Sequence, residues 1–295
     1  DEINTGVLAL PCRQLASWLP RVGNDNAQSE YYLPDILSLA VSEGVNVATV
    51  TSDDEYETLG INDRAQLVLL ERVYQRRLAD QLMLAGVTLA DPARLDVRGN
   101  LSCGTDCFID ANVVFEGRVV LGNGVRIGAN CVIRDAEIGD GVELLPLCHL
   151  EGVALAADCT IGPFARLRPG TALETGAKIG NFVETKNAAI GAGSKVNHLT
   201  YIGDCSMGER VNVGAGTITC NYDGVNKHQT AIGAGSFVGS NSTLVAPVQI
   251  AEQGFVAAGS TITKPVARDE LAVGRGKQRN ISGWVRPAAK KEQGE

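Results

Sequence analysis

The chain has 295 residues, 44% of them apolar and 20% charged, enough for about two domains with buried cores, which excludes wholesale disorder. Thirty-four acidic residues against 26 basic ones give a net charge of −8, so no global field recruits nucleic acid or an anionic membrane surface. Glycine at 34 positions beside only 5% aromatic residues points to many turns around a core of small aliphatics.

No apolar run nears the ~18 residues of a membrane helix, and the N-terminus lacks the basic-then-apolar pattern of a signal peptide. The expectation is a soluble, cytoplasmic protein with neither nucleic acid nor membrane as partner. The cysteines, at 12, 103, 107, 131, 148, 159, 205 and 220, show no metal-type pairing beyond Cys103-x-x-x-Cys107 and read as reduced, buried side chains.

Residues 1–62 mix short apolar runs with a helical stretch around Ile36 to Val41, and form a partial α/β domain too short for a whole nucleotide-binding unit. The chain opens on Asp1 with the mid-domain sequence Ile3-Asn4-Thr5-Gly6-Val7-Leu8, so the N-terminal part of a longer protein is expected to be missing. Residues 63–91 read as a helical arm, since Leu67, Leu70, Val73, Leu78 and Leu82 recur near helical spacing between charged residues. Residues 92–264 carry a six-residue repeat. Ile232, Val238, Leu244, Ile250, Val256 and Ile262 make an unbroken run, preceded by Leu155, Ile161, Leu167, Leu173 and Ile179, by Ile190, Val196 and Ile202, and first by Leu121, Ile127 and Ile133. A six-step is neither the 3.6 of a helix nor a simple alternation. Each hexapeptide supplies a short strand and a turn with its aliphatic inward. Three close a triangular coil of about 18 residues, and about nine coils make a parallel β-helix. Residues 216–231 break the rhythm as a loop, and such loops often carry ligand. The tail, 265–295, holds Arg268, Arg275, Lys277, Arg279, Arg286, Lys290 and Lys291, which serve either as a solvated tail or as a phosphate contact.

Polar residues cluster where the repeat is least regular: Arg168, Lys186, His198, Tyr201, Asn212, Asn221, Tyr222 and Lys227. Arg168 and Lys186 are one 18-residue coil apart and should stack on one edge. Like charges ~5 Å apart repel, so the pair suggests an anion site for phosphate or carboxylate. His198 lies among polar residues, and an imidazole with an ordinary pKa near ~6.5 can take a proton from an ammonium or hydroxyl. Twelve residues from Lys186 is two sides of the triangle, so the two need not share a face. Packing of parallel prisms would bring such edges together in a closed three-fold oligomer. The spacings among His149, His198 and His228 do not place their imidazoles on one edge for zinc. Gly214-Ala215-Gly216 neither follows a strand nor opens a helix as a dinucleotide fingerprint must.

Four segments carry a resemblance to a known family. They are Ile161-Gly-Pro-Phe-Ala-Arg-Leu-Arg-Pro-Gly170, Gly180-Asn-Phe-Val-Glu-Thr-Lys186, His198-Leu-Thr-Tyr-Ile-Gly-Asp204 and Asn212-Val-Gly-Ala-Gly-Thr-Ile-Thr-Cys-Asn-Tyr-Asp-Gly224, with Asn24 to Asp35 upstream. The chain resembles the bacterial bifunctional N-acetylglucosamine-1-phosphate uridylyltransferase and glucosamine-1-phosphate N-acetyltransferase family along essentially its whole length. The resemblance implies a mainly β fold, a left-handed parallel β-helix of hexapeptide repeats assembled as a homotrimer. It implies transfer of acetyl from acetyl-coenzyme A to the amine of glucosamine 1-phosphate. The product, N-acetylglucosamine 1-phosphate, feeds UDP-N-acetylglucosamine synthesis for peptidoglycan and lipopolysaccharide. His198 matches the general base, and Glu184 is implied to orient the amine or the base. Arg168, Lys186, Tyr201, Asn212 and Lys227 match the sugar-phosphate contacts. Ala215, Asn221, Tyr222, Ser240, Ala258 and Arg275 match the acetyl-coenzyme A contacts, and a donor near Ser240 would stabilise the tetrahedral oxyanion by roughly 3 kcal/mol.

The family's N-terminal domain joins uridine triphosphate to N-acetylglucosamine 1-phosphate with Mg²⁺. Asn4 matches a sugar-nucleotide contact and Asn62 a magnesium contact, yet the glycine-rich phosphate loop and the acidic metal partner are absent from these residues. The polypeptide by itself is therefore expected to lack uridylyltransferase activity. The alternatives from sequence are a hexapeptide acyltransferase with another acceptor and a non-catalytic solenoid scaffold.

Overall fold

The computed structural model describes residues 5–286, which divide into two compact units, one ending at Tyr74 and one starting at Gln75. In the first, helix α1 (Cys12–Trp18) and helix α2 (Asp35–Ser42) bury Trp18, Ile36 and Ala40, with Leu8, Leu10, Leu15, Val22 and Leu39 packed around them. The expected helical stretch at Ile36–Val41 lies within α2. The Trp18 indole donates to Glu43 at 2.9 Å. That bond and the Arg21 guanidinium hold the Glu43 carboxyl below the usual carboxylate range. Helix α3 (Arg64–Leu84) follows.

The second unit is a parallel β-helix. An eleven-stranded sheet runs from Thr88–Leu89 to Leu271–Ala272, and a thirteen-stranded sheet wraps the remaining sides. Every strand pair in both sheets is parallel, as a solenoid requires, because each pass through a face follows one complete coil. Every aliphatic of the six-residue series is buried, from Leu121 to Ile262, and together they form one continuous core. Five of the cysteines, Cys107, Cys131, Cys148, Cys159 and Cys205, are buried in it as well. Burial pushes the Cys205 thiol up to about 12, so it stays a neutral apolar filler.

The coil length departs from a uniform 18. Phe108 pairs with Arg126, 18 residues on, but Arg126 pairs with Glu143 and Lys178 with Lys195, 17 on. The shorter coils take one five-residue step between inward positions, Ile133 to Ile138, Leu150 to Leu155 and Ile202 to Met207, inside strands that bend around one corner. At that corner stand Gly117, Asp135, Gly152, Gly170, Asn187 and Asp204, all at positive φ. Glycine is required at 117, where a Cβ would collide with the Asp135 carboxylate. The irregular loop is shorter than the sequence pattern suggests. Strands Ile218–Cys220 and Thr230–Ile232 continue the coil on either side, with Thr219 inward, which leaves 221–229 as the excursion. The register there jumps from Asn212 to Phe237.

The open N-terminal end of the core is covered by the last turns of α3, where Ala79 is buried and Leu78 and Leu82 pack on the core. Gln75 completes the cover: its amide donates to the Val97 carbonyl and accepts from the Val97 amide, both at 2.8 Å. One side chain thus satisfies backbone groups that a further coil would otherwise pair. Among the described residues no helix is long and apolar enough to cross a membrane.

Candidate active site

The thirteen-stranded sheet carries a column of alternating charge, one residue per coil: Arg98, Glu116, Arg134 and Glu151. Neighbours are ion-paired, Arg98 to Glu116 at 3.4 Å and Arg134 to Glu151 at 3.6 Å, with Arg134 also on Glu116. The next position is Arg168, following the Leu150–Leu167 pairing, and the one after it is Lys186, following Leu167–Thr185. Alternation would place an acid at 186. A lysine stands there instead, and Lys227 from the loop comes beside it. The Lys227 ammonium, with partial burial and Arg168 adding to it, holds the Lys186 ammonium below its ordinary pKa, against the pull of Asp204. Arg168 is partnered by Glu184 at 2.9 Å. The expected stacking of Arg168 and Lys186 is observed, and the cations outnumber the acids at this point of the column.

Tyr201 pairs with Glu184 in the neighbouring strand. Its hydroxyl folds over Gly203, the strand partner of Lys186, where a Cβ would collide with it. Asp204 follows. Its carboxylate accepts from the Asn187 amide at 2.6 Å and from the Asn221 amide. Burial favours its neutral form, but the two amides and the Lys186 and Lys227 ammoniums outweigh it and keep the carboxyl below the usual range. Asn221 opens the loop and its carbonyl accepts from the His228 amide. Within the loop the Asp223 carboxylate accepts from the amides of Val225 and Asn226 and meets His228 Nε2 at 2.7 Å. These bonds hold Asp223 well below the carboxylate range. Tyr222 is exposed and bonds the Gly224 carbonyl.

His198 lies on the other sheet, at the end of strand Lys195–His198. Its Nδ1 meets Asn181 Oδ1 at 2.6 Å, one coil away. An amide oxygen only accepts, so Nδ1 donates this bond, and in the neutral imidazole the lone pair is then on Nε2. Sequence reasoning did not single out Asn181. Its signal is the 17-residue separation from His198, which an 18-residue coil conceals. Ala215, Ser240 and Ala258 continue the same turn in successive coils. The amides of Gly216, Asn241 and Gly259 donate to the carbonyls of His198, Ala215 and Ser240 at 3.3, 2.7 and 2.8 Å. Arg275 ends the column, donating to the Ala258 carbonyl at 2.6 Å. Four of the six residues expected to contact acetyl-coenzyme A thus form one edge rising from the imidazole.

The remaining candidates are not gathered there. Asn212 stands on the eleven-stranded sheet between Lys195 and Phe237, across a corner from Arg168 and Lys186. Glu184 meets Arg168, whereas the imidazole meets Asn181. Arg268 of the tail pairs with Glu252 and Asp269. Asn4, Lys290 and Lys291 lie outside the described residues. Asn62 is exposed and its backbone amide bonds Gln66 at 2.7 Å. Among the described residues no group of three His, Cys, Asp or Glu is placed to hold a metal ion.

Residues 101–135 match the family model of the bacterial transferase hexapeptide (six repeats). With the parallel coils and inward aliphatics, this makes the chain a hexapeptide-repeat β-helix protein. It is 59% identical over 287 residues to the bifunctional protein GlmU of Marinobacter nauticus, covering 97% of this chain and 63% of that protein. To the bifunctional protein GlmU of Aromatoleum aromaticum it is 57% identical over 290 residues, covering 98% and 64%. The chain is similar to these bifunctional GlmU proteins over nearly all of its own length and spans just under two thirds of theirs. Among solved structures, it overlaps the UDP-N-acetylglucosamine acyltransferase of Francisella novicida with a TM-score of 0.46 and 14% identity, over 63% of this chain and 67% of that one.

Proposed function

We propose that the chain is a glucosamine-1-phosphate N-acetyltransferase using acetyl-coenzyme A as co-substrate. The observation that carries the reading is the break in charge alternation at Lys186, a cation cluster for a phosphate, one corner away from an imidazole whose Nε2 is free. Arg168, Lys186 and Lys227 bind the sugar phosphate by charge-assisted hydrogen bonds. His198 Nε2 takes a proton from the amine as its nitrogen attacks the thioester carbonyl carbon. The tetrahedral oxyanion collapses, the carbon–sulfur bond breaks, and the coenzyme A thiolate leaves with the proton that His198 returns. Ser240 and its neighbours on the Ala215–Arg275 edge hold the thioester arm. Uridylyl transfer is not expected of this polypeptide.

The test is thiol release from acetyl-coenzyme A with and without glucosamine 1-phosphate. Release that depends on the sugar phosphate is expected, while equal release without it, or with an unrelated amine only, overturns the assignment of acceptor. Absence of acetyl-coenzyme A binding in calorimetry would favour a scaffold.

The assembly proposed is a homotrimer in the cytoplasm, where acetyl-coenzyme A is made and used. Asn212 and the Arg168–Lys186 pair occupy different sheets of one chain, and a trimer in which neighbouring protomers bring their edges together would let them serve one sugar. Light scattering should give three times 31.0 kDa; a monomer mass with full activity refutes the shared site.

A further inference from the structure

Asp204 is the one charged side chain that is buried among the described residues, at 7% exposure. A buried carboxylate costs several kcal/mol unless it is paired and hydrogen-bonded, so its position calls for a cause. In the coils below, the corner it occupies is glycine at 99, 117, 152 and 170 and aspartate at 135. From Asn187 on it is Asn187, Asp204 and then Asn221, three polar residues in successive coils that bond one another. Both of its oxygens are engaged, by Asn187 from the coil before and by Asn221 from the coil after. Asn221 is the root of the loop that delivers Lys227. The charged groups acting on Lys186 are Lys227, Arg168 and Asp204, with Glu184 already held by Arg168. Among the described residues, Asp204 is the acid that acts on Lys186, and both lysines act on it in turn.

We infer that Asp204 is a positioning residue that keeps Lys186 and Lys227 side by side and ties the 221–229 loop to the coil, so that the phosphate site is preformed. The inference rests on the sugar-phosphate reading of Lys186. Its physical content is a sign. Anion affinity is lost as pH rises through the Lys186 titration, and without the Asp204 charge that titration moves further down.

N-acetylglucosamine 1-phosphate is the probe, because it has no amine to titrate and its phosphate is dianionic above pH 7. Calorimetry on the whole chain at pH 7 and pH 9 should show wild-type affinity changing less than about threefold. Asp204→Asn should weaken at least tenfold more at pH 9 than at pH 7. Asn187→Ala, which keeps the carboxylate and removes one amide, should weaken binding equally at both pH values. It also serves as the second variant should Asp204→Asn fail to fold. In that case, a pH-dependent loss in Asn187→Ala overturns the inference and a pH-independent loss upholds it. Parallel profiles for Asp204→Asn and wild type overturn the role of Asp204 alone. No binding of the probe by the wild type overturns the phosphate reading, and the inference with it.

Discussion

His198→Ala should lower kcat for acetyl transfer by about 10²- to 10⁴-fold, the usual contribution of a positioned general base, with KM for acetyl-coenzyme A nearly unchanged. The side chain is exposed and its main contact is one bond to Asn181, so its loss removes a proton acceptor without opening the core. Near wild-type turnover by a folded variant would remove His198 from the chemistry. A companion substitution tests the tautomer. In Asn181→Asp a carboxylate faces the imidazole and favours the imidazolium. The acidic limb of the kcat/KM profile should then move to higher pH. Activity would be lost on the acidic side of that limb and regained above it. An unmoved limb would show that Nδ1 takes its proton without help from residue 181.

Arg168→Ala should raise KM for glucosamine 1-phosphate by about 10- to 100-fold, the equivalent of the roughly 1.5–3 kcal/mol assigned to a hydrogen bond to a charged group. The loss falls on ground-state binding, so kcat at saturating sugar phosphate should stay within a few-fold. Two local consequences distinguish this from general damage. Glu184 loses its 2.9 Å partner. Arg168→Lys keeps the charge but not the planar fork, so it should recover only part of the affinity. A kcat defect with unchanged KM would move Arg168 from binding to catalysis.

Some of this was open to inspection in the sequence. Leu121, Ile127, Ile133 and their successors were recognisable as inward residues, because a six-residue step is local and burial follows it directly. The Arg168–Lys186 stacking was legible because that coil happens to keep 18 residues. Asn181 and Asp204 were not. Their partners stand 17 residues away, and the five-residue step that shortens those coils has no signature separate from the aliphatic pattern. The 215–240 contact was hidden for a different reason, since the 221–229 excursion inserts chain between neighbouring coils.

The amino-acid sequence alone determined that the chain would wind into parallel coils with its aliphatics inward, since strand, turn and burial repeat within six residues and need no distant partner. Tertiary structure alone decided which polar groups share an edge. One residue more or less per coil rotates every later side chain around the prism, and only the accumulated register brings Asn181 to His198, Asp204 to Asn221 and Lys227 to Lys186.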